Sequence, residues 1–396
     1  MTEAVLRSLR RRVGSLFSDP RVRAIAIQIA LVAGVVWLGW FFYANARQNL
    51  AGPNAATGFG FLWETAGFGL SQALIPYAEN STYARAFLVG LLNTLLVSAL
   101  GIVFATIIGF AVGIARLSSN VLLARLAGAY VETLRNLPLL FQILFWYLAV
   151  LGTLPGPRES EPLLGAIFFT NRGVLAPRLL LEPGSTVVFL ALAVAVVASV
   201  VLGLRARRHR DRTGVHAPWR RYALLLLFGL PAVAYGATGA PISLELPVLR
   251  GFNFVGGMRV NPEFLALLFA LSTYTASFIA EIVRAGFLAV PRGQTEAAVS
   301  LGLRRPETLR LVVTPQAMRL IVPPLTSQYL NLTKNSSLAA AIGYPDFFYV
   351  FAGTTLNQTG QAIEIIAVTM AVYLTISLLT ALFMNWYNRA VALKGS

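Results

Sequence analysis

Residues 296–325 read EAAVSLGLRRPETLRLVVTPQAMRLIVPPL, a charged and proline-punctuated stretch in a chain that is otherwise strongly apolar. The stretch carries two acids, four arginines, one glycine and four prolines, whereas the whole chain is 57% hydrophobic and only 12% charged. A soluble chain normally carries about 25% charged residues. The contrast predicts a membrane protein in which this stretch is a polar element outside the bilayer.

Apolar runs lie on both sides of this stretch and extend through the chain. Because about 20 apolar residues in a helix cross a bilayer core, we predict an all-α, polytopic transmembrane helical bundle with about eight spans. The predicted spans are 24–43, 86–115, 122–150, 184–204, 222–238, 262–288, 320–342 and 362–384. The first run is too long for a signal peptide and lacks a small-x-small cleavage site, so we expect a retained helix rather than a cleaved leader.

The spans divide the chain into five regions. We predict a cytoplasmic N-terminus with a first helix, an extracytoplasmic loop, a first core part, an insertion that adds a helix pair, and a second core part that contains the polar element at 290–320. Their bounds are 1–43, 44–85, 86–150, 151–261 and 262–390.

Charge determines the expected orientation. Basic residues concentrate about three to one in the segments that lie inside if both termini are cytoplasmic, as the positive-inside rule requires. The quoted stretch therefore faces the cytoplasm.

Composition excludes several classes of function. The chain has a formal charge of +16, but its arginines flank apolar runs instead of forming a polar face, so we expect no nucleic-acid partner. With no cysteine, disulfides and thiolate chemistry are excluded. His209 and His216 lie in a basic loop with no thiolate and only one acid, Asp211, too few ligands to hold a metal, so neither a metal nor a cofactor is expected.

The quoted stretch predicts a short helix that ends at a glycine. Good helix formers fill 294–301 after Pro291, and Gly302 suits the left-handed position that ends a helix. Pro306 then fits the first turn of a second helix at the membrane surface.

Further along, apolar residues up to Leu320 share one face of that second helix, and Pro323 and Pro324 mark the entry to the next span. Patterning alone favours two interpretations equally. The element is either an inert amphipathic connector or a device through which a force on the short helix moves two spans.

A family resemblance bears on this choice. Glu296, Ala297, Ala298 and Gly302 match the EAA motif of binding-protein-dependent ABC importer permeases. In that family the short helix is the coupling helix, which sits in a cleft of the ATPase subunit. The resemblance therefore implies a docking role for this element and a type I ABC importer permease-like fold.

Other segments narrow the resemblance. YVETLRNLPLLFQILFWY (130–147) and YTASFIAEIVRAGFLAVPRGQTEAA (274–298) resemble the polar amino acid subfamily. KNSSLAAAIGYPDFFYVFAGTTLNQTGQAIE (334–364) resembles the larger permease subunit of general L-amino-acid importers. The likeness covers about 86–150 and 262–390.

The resemblance implies a multi-pass permease in the inner membrane of a bacterium, with amino acids as substrates. The implied partners are an ATP-binding cassette ATPase dimer, a second related permease subunit, an extracytoplasmic binding protein and membrane lipid. The chain itself is expected to be no enzyme, since Lys334 and Lys394 are its only lysines and neither lies in a P-loop.

Polar residues inside a span are candidates for the substrate path, because polar groups are costly in hydrocarbon. Asn335, Ser336 and Ser337 interrupt the seventh span, and Asn93 lies in the second. These groups could hydrogen-bond the carboxylate and ammonium of an amino acid, although packing between helices is the alternative. Many relatives carry Asp at the position of Asn335, which weighs against selective recognition of Arg or Lys.

The remaining intramembrane polar residues are predicted to be structural. Glu132 and Arg135 are spaced to pair on one helical face, as are Glu281 and Arg284. Pro138 is expected to bend its helix after Asn136.

Two other functions remain as alternatives. An ion-coupled secondary transporter would show inverted repeats, which the sequence lacks. An intramembrane enzyme would need paired acids, a histidine cluster or a nucleophile beside a base, whereas the carboxylates here are scattered.

Overall fold

The computed structural model describes residues 20–50, 58–214 and 218–391. The predicted cytoplasmic tail before residue 20, together with His216 and Lys394, lies outside the described residues.

Helices dominate the described chain, which confirms the predicted all-α class. In order they are α1 (Pro20–Leu50), a 3-10 helix at Gly60–Trp63, α2 (Tyr83–Ala115), α3 (Val121–Asn136), α4 (Leu139–Leu144, continued as a π-helix over Phe145–Leu151), α5 (Ser185–Thr213), α6 (Trp219–Ala237), α7 (Pro262–Leu288), α8 (Arg292–Ser300), α9 (Arg305–Thr308, continued as a π-helix over Leu309–Val313), α10 (Thr314–Asn335, continued as a 3-10 helix over Ser336–Ile342), a π-helix at Phe348–Thr355, α11 (Leu356–Thr359) and α12 (Ala362–Val391).

Five of the described helices are long and apolar enough to cross a membrane, and α3 with α4 makes a sixth if the bent pair counts as one span. The predicted spans at 222–238 and 320–342 are helical as well, but more polar. Two arginines stand at the start of α6, and α10 carries threonine, glutamine, asparagine and lysine. The count of eight spans and the cytoplasmic termini stay predictions.

The core is built on α2, α7 and α10, which pack side by side. Glycines allow the close approach. A Cβ at Gly113 would lie 2.8 Å from Val283 Cβ, and one at Gly286 would lie 2.3 Å from Ile321 Cγ1. Because such distances are shorter than real side chains tolerate, these helices touch almost backbone to backbone.

The predicted bend at Pro138 is confirmed. The axes of α3 and α4 meet at 108°. The bend leaves backbone carbonyl groups without the partners that a straight helix would give them. The side-chain amide of Gln142 donates to two of these carbonyl oxygens, those of Leu134 (2.9 Å) and Leu137 (3.0 Å). Gln142 thus serves the backbone here.

The insertion consists of a helical hairpin and small β-sheets. Helices α5 and α6 pack against each other. The strands are β1 (Pro162–Leu163), β2 (Ile167–Thr170), β3 (Gly173–Ala176), β4 (Arg178–Leu181), β5 (Ile242–Glu245), β6 (Val248–Arg250), β7 (Asn253–Val255) and β8 (Met258–Val260). They form one antiparallel sheet in the order β1-β2-β3-β8 and two pairs, β4-β5 and β6-β7.

Candidate functional site

The polar element between α7 and α10 begins with the short helix α8. It starts after Pro291, within two residues of the predicted start. At its end Gly302 has a φ of +81°, and the amides of Gly302 and Leu303 donate to the oxygens of Val299 (2.9 Å) and Ala298 (3.1 Å). The glycine stop predicted from the sequence is confirmed, since this left-handed conformation suits glycine.

The second half of the element corrects an expectation. Helix α9 is capped as its sequence suggests, because the Glu307 carboxylate accepts from the amide of Arg304 at 2.9 Å. It does not end before the next span, however. The backbone stays helical from Arg305 to Asn335, with Pro323 and Pro324 inside α10.

The prolines therefore do not separate a surface helix from the span that follows it. Their position at the entry to the span stays a prediction. A π-helical segment at Leu309–Val313 lies between α9 and α10, as single-turn π-bulges do inside α-helices. The consequence is mechanical. The chain after Gly302 is one long helix that reaches from the polar element into the bundle.

The short helix is joined to that long helix by side chains. Ala298 is 3% exposed and is the buried residue of α8. The side-chain amide of Gln316 on α10 donates a hydrogen bond to the side-chain oxygen of Gln294 on α8 at 3.1 Å. Since Gly286 of α7 also packs on Ile321 of α10, a displacement of α8 acts on two tightly packed helices together.

The outer surface of the element remains uncovered. Leu301 is 83% exposed and Val299 is 58% exposed, and Glu296 and Ala297 are exposed beside them. A cavity of about 590 Å³ opens between α8 and the start of the long helix, lined among others by Thr295, Val299 and Leu309. Exposed leucine and valine next to a carboxylate form a surface suited to a protein partner.

An ion-pair cluster lies nearby at the end of α7. Glu281 pairs with Arg284 at 2.6 Å, as predicted, and also with Arg116 just after α2. The carboxylate therefore ties α2 to α7 at the end of the bundle that continues into α8.

The second predicted ion pair is wrong. Among the described residues Arg135 makes no salt bridge with Glu132. Its guanidinium lies over the ring of Phe278, 5.0 Å from the centroid. A guanidinium stacks favourably on an aromatic face, and Phe278 on α7 is brought to that position only by tertiary packing.

Of the predicted substrate residues, Asn93 and Ser336 are fully buried. The Asn93 amide donates to the oxygens of Gln72 (3.0 Å) and Pro345 (2.9 Å). The Ser336 hydroxyl donates to the oxygen of Thr333 at 2.8 Å. Both side chains therefore bond to backbone, and their contact with substrate stays a prediction.

Asn335 and Ser337 lie nearer the surface. Asn335 is half-buried, and its side chain has no hydrogen bond within the described part of the chain, whereas the Ser337 hydroxyl donates to the oxygen of Lys334 at 2.8 Å. Along the same helix Ser327, Asn331 and Lys334 are all exposed. Their spacing of four and three residues places them in one polar stripe.

Sequence reasoning missed a buried carboxylate next to these residues. Asp346 is fully buried. It accepts from the amide of Tyr349 at 2.8 Å and from the hydroxyl of Tyr373 at 3.1 Å. Nearby, the Thr94 hydroxyl accepts from the amide of Phe347 at 2.9 Å. The available signal was a single acid in the apolar run IGYPDFFYV, just before a helix.

These features define the class of the protein. The described chain is a bundle of apolar helices, with a short exposed helix between two tightly packed spans. The sequence also matches the model of a protein family with this kind of subunit. Residues 222–393 match the binding-protein-dependent transport system inner membrane component. The chain belongs to this family and is a permease subunit of an ABC importer, a multi-pass inner membrane protein and not an enzyme.

Individual relatives match over nearly the full length. The chain is 54% identical to the putative amino-acid ABC transporter permease protein YhdX of Escherichia coli, over 96% of this chain and 97% of that protein. It is 51% identical to the general L-amino acid transport system permease protein AapQ of Rhizobium johnstonii, covering 96% and 94%. It is 43% identical to the glutamate/glutamine/aspartate/asparagine transport system permease protein BztB of Rhodobacter capsulatus, covering 97% of both.

This membership confirms the resemblance to polar amino acid importer permeases. It also decides against the ion-coupled secondary transporter and the intramembrane enzyme that the sequence left as alternatives.

Proposed function

We propose that this permease subunit carries amino acids of broad side-chain type into a bacterial cell, driven by ATP hydrolysis on a separate subunit. The observation that carries the proposal is the exposed short helix α8, joined to two packed membrane helices. The names of three relatives, each an amino-acid transport permease at 43–54% identity, support amino acids as the substrate class.

Coupling follows from how α8 is attached. Glu296, Ala297 and Ala298 with Gly302 form the docking helix and its stop, and Leu301 supplies an exposed apolar contact. When a partner ATPase dimer closes, it displaces α8. The displacement passes to α7 directly and to α10 through the Gln294–Gln316 hydrogen bond. The bundle then alternates between two rigid-body states that open the path outward or inward.

The substrate path follows the polar stripe of α10. Ser327, Asn331 and Lys334 are exposed on a helix that lies among apolar spans, and polar groups avoid lipid. We infer that the stripe faces a second, related permease subunit, with the path between the two chains. Asn335 and Ser337 border this path, while the buried Ser336 and Asn93 hold its wall.

The neutral donors and acceptors of Asn335 and Ser337 would bind the carboxylate and ammonium that all amino acids share. They make no selection by side-chain charge, which agrees with a broad substrate range. An extracytoplasmic binding protein would deliver the substrate on the opposite side of the membrane from α8.

The coupling proposal is tested at Leu301. Leu301→Ser removes an exposed apolar side chain at the end of α8, and Leu311→Ser is the matched control, because Leu311 is 61% exposed but lies in the π-helical segment of the long helix and not on α8 or at its end. In vesicles containing the assembled transporter, ATP-driven amino acid uptake should fall at least about tenfold in the first variant, the loss of about 1.4 kcal/mol of docking energy. Uptake should stay near normal in the control.

A second variant tests the charge of the same helix. Glu296→Lys should abolish uptake and ATPase stimulation by the loaded binding protein, while the subunits stay expressed. Normal stimulation in Glu296→Lys, or equal losses in the two leucine variants, would contradict docking through α8.

A further inference from the structure

The helical hairpin of the insertion has a groove that the transport proposal does not use. Helices α5 and α6 pack through small residues. The Ser199 hydroxyl donates to the oxygen of Ala223 at 3.3 Å, and a Cβ at Gly203 would lie 3.3 Å from the ring of Trp219. Beside this contact runs an open, apolar groove of about 470 Å³, bordered also by Val200 and Leu227. Its volume falls within the range of about 300–1,000 Å³ that is usual for ligand pockets.

The hairpin becomes strongly basic where the groove ends. Residues 205–221 contain seven arginines and a single acid, Asp211. Helix α5 continues through the first five of these arginines to Thr213, and α6 begins with Trp219, Arg220 and Arg221. Tryptophan prefers the membrane–water interface, so Trp219 places the apolar groove in the hydrocarbon and the arginines at the level of the headgroups.

We propose that this groove binds an anionic phospholipid. One acyl chain lies along the slot between α5 and α6, and the phosphate of the headgroup accepts hydrogen bonds from arginines at its open end. The positive-inside rule accounts for basic residues at this end of the hairpin, but it requires no apolar slot directly beneath them. An anionic lipid matches this arrangement, because its acyl chain fits the apolar slot and its charged headgroup lies level with Trp219 and the arginines.

Helical spacing predicts which arginines contribute most. On α6, Arg220 precedes the groove residue Leu227 by seven residues, about two turns, and so lies near the groove face, whereas Arg221 follows the groove residue Trp219 by two, about half a turn. On α5, Arg207 follows the groove residue Gly203 by four residues, whereas Arg205 follows it by only two, about half a turn. The two pairs of arginines therefore carry the same charge but occupy different positions around their helices relative to the groove residues.

The experiment compares these pairs in the full chain. The protein is reconstituted in nanodiscs of phosphatidylcholine and phosphatidylglycerol in equal amounts and then extracted, and retained lipids are counted by native mass spectrometry. The wild type should retain phosphatidylglycerol in preference. The double variant Arg207→Gln/Arg220→Gln should reduce this enrichment at least about fivefold, because each arginine near a lipid phosphate strengthens the binding of an anionic lipid. Arg205→Gln/Arg221→Gln should change it less than about twofold.

A second pair of variants tests the slot itself. Val200→Trp fills the groove from an exposed position, and Val197→Trp adds the same bulk at a similarly exposed valine outside it. Retention should fall in the first variant only.

Three outcomes would overturn the proposal. The first is equal retention of the two lipids by the wild type, and the second is equal loss in both arginine pairs, which would show diffuse attraction to charge. The third is a Val200→Trp variant that dissociates a protein oligomer with its bound lipid unchanged, which would make the groove a contact with another helix.

Discussion

Replacing Gly109 with alanine tests the close packing of α2 against α7. The added Cβ would lie 2.6 Å from both Cβ and Cγ2 of Ile279 and 3.0 Å from the carbonyl oxygen of Ala276. Carbon atoms in contact normally lie about 3.5–4.0 Å apart. Ile279 Cβ is bonded directly to the backbone and cannot swing away, so the two helices must separate by roughly 1 Å.

The magnitude follows from two opposing effects. Alanine gains up to about 1 kcal/mol over glycine in helix propensity. Forcing extra atoms into a packed core costs about 1–3 kcal/mol. The upper part of this range applies because the added methyl group meets Ile279 Cβ and a backbone oxygen, which cannot move away without moving the helix. The net destabilisation is about 1–2 kcal/mol. With about 2.1 cal/mol/K of unfolding entropy per residue, a chain of this size loses about 1–2.5 °C in melting temperature.

Gly128 in α3 provides the matched control, since a Cβ there meets nothing within 4 Å. Gly128→Ala should leave the melting temperature unchanged or raise it slightly. The purified full chain is heated in detergent while the fluorescence of its six tryptophans is followed. If Gly109→Ala melts at or above the temperature of Gly128→Ala, α2 and α7 do not pack through this glycine.

Three further predictions concern polar residues. Glu281→Gln removes the negative charge that pairs with both Arg116 and Arg284. It should lower the free energy of unfolding by about 1–2 kcal/mol, which is less than the loss of a fully buried ion pair because all three side chains are partly exposed. An unchanged melting curve would show that the cluster does not hold α2 to α7. Asn335→Asp should shift uptake toward cationic amino acids in competition assays, and an unaltered substrate profile would remove Asn335 from the path. Asp346→Leu leaves the Tyr349 backbone amide and the Tyr373 hydroxyl without their acceptor, and it should lower the free energy of unfolding by about 3 kcal/mol. Asp346→Asn keeps a good helix cap and should lower it by about 1 kcal/mol or less. Equal melting temperatures for the two variants would contradict a role for the carboxyl oxygens.

Local features of the sequence predicted the architecture well. The apolar runs indicated a helical membrane protein, Pro138 indicated a bend, and Gly302 indicated the end of a short helix; the helices and backbone conformations of the structure agree. These features are predictable because hydrophobic length, a missing amide donor and a left-handed backbone each depend on one residue or on a short segment.

The candidate site was predictable in part. The four residues of the EAA match lie on α8 and at its end. Their attachment through Gln294 and Gln316 could not be read from the sequence, because these residues are 22 positions apart and meet only when α8 folds against α10. The polar stripe on α10 likewise became visible only when the structure showed which of its polar residues are exposed.

The sequence by itself determined that the chain spans a membrane as helices and presents a short, glycine-terminated helix between two of its spans. Only the tertiary structure decided that Arg135 stacks on Phe278, that Pro323 and Pro324 lie within a continuous helix, and that Asp346 is buried against Tyr373. The physical reason is the range of the interactions. Helix formation and membrane insertion depend on neighbouring residues, whereas the partner of a polar side chain is set by which distant helix packs against it.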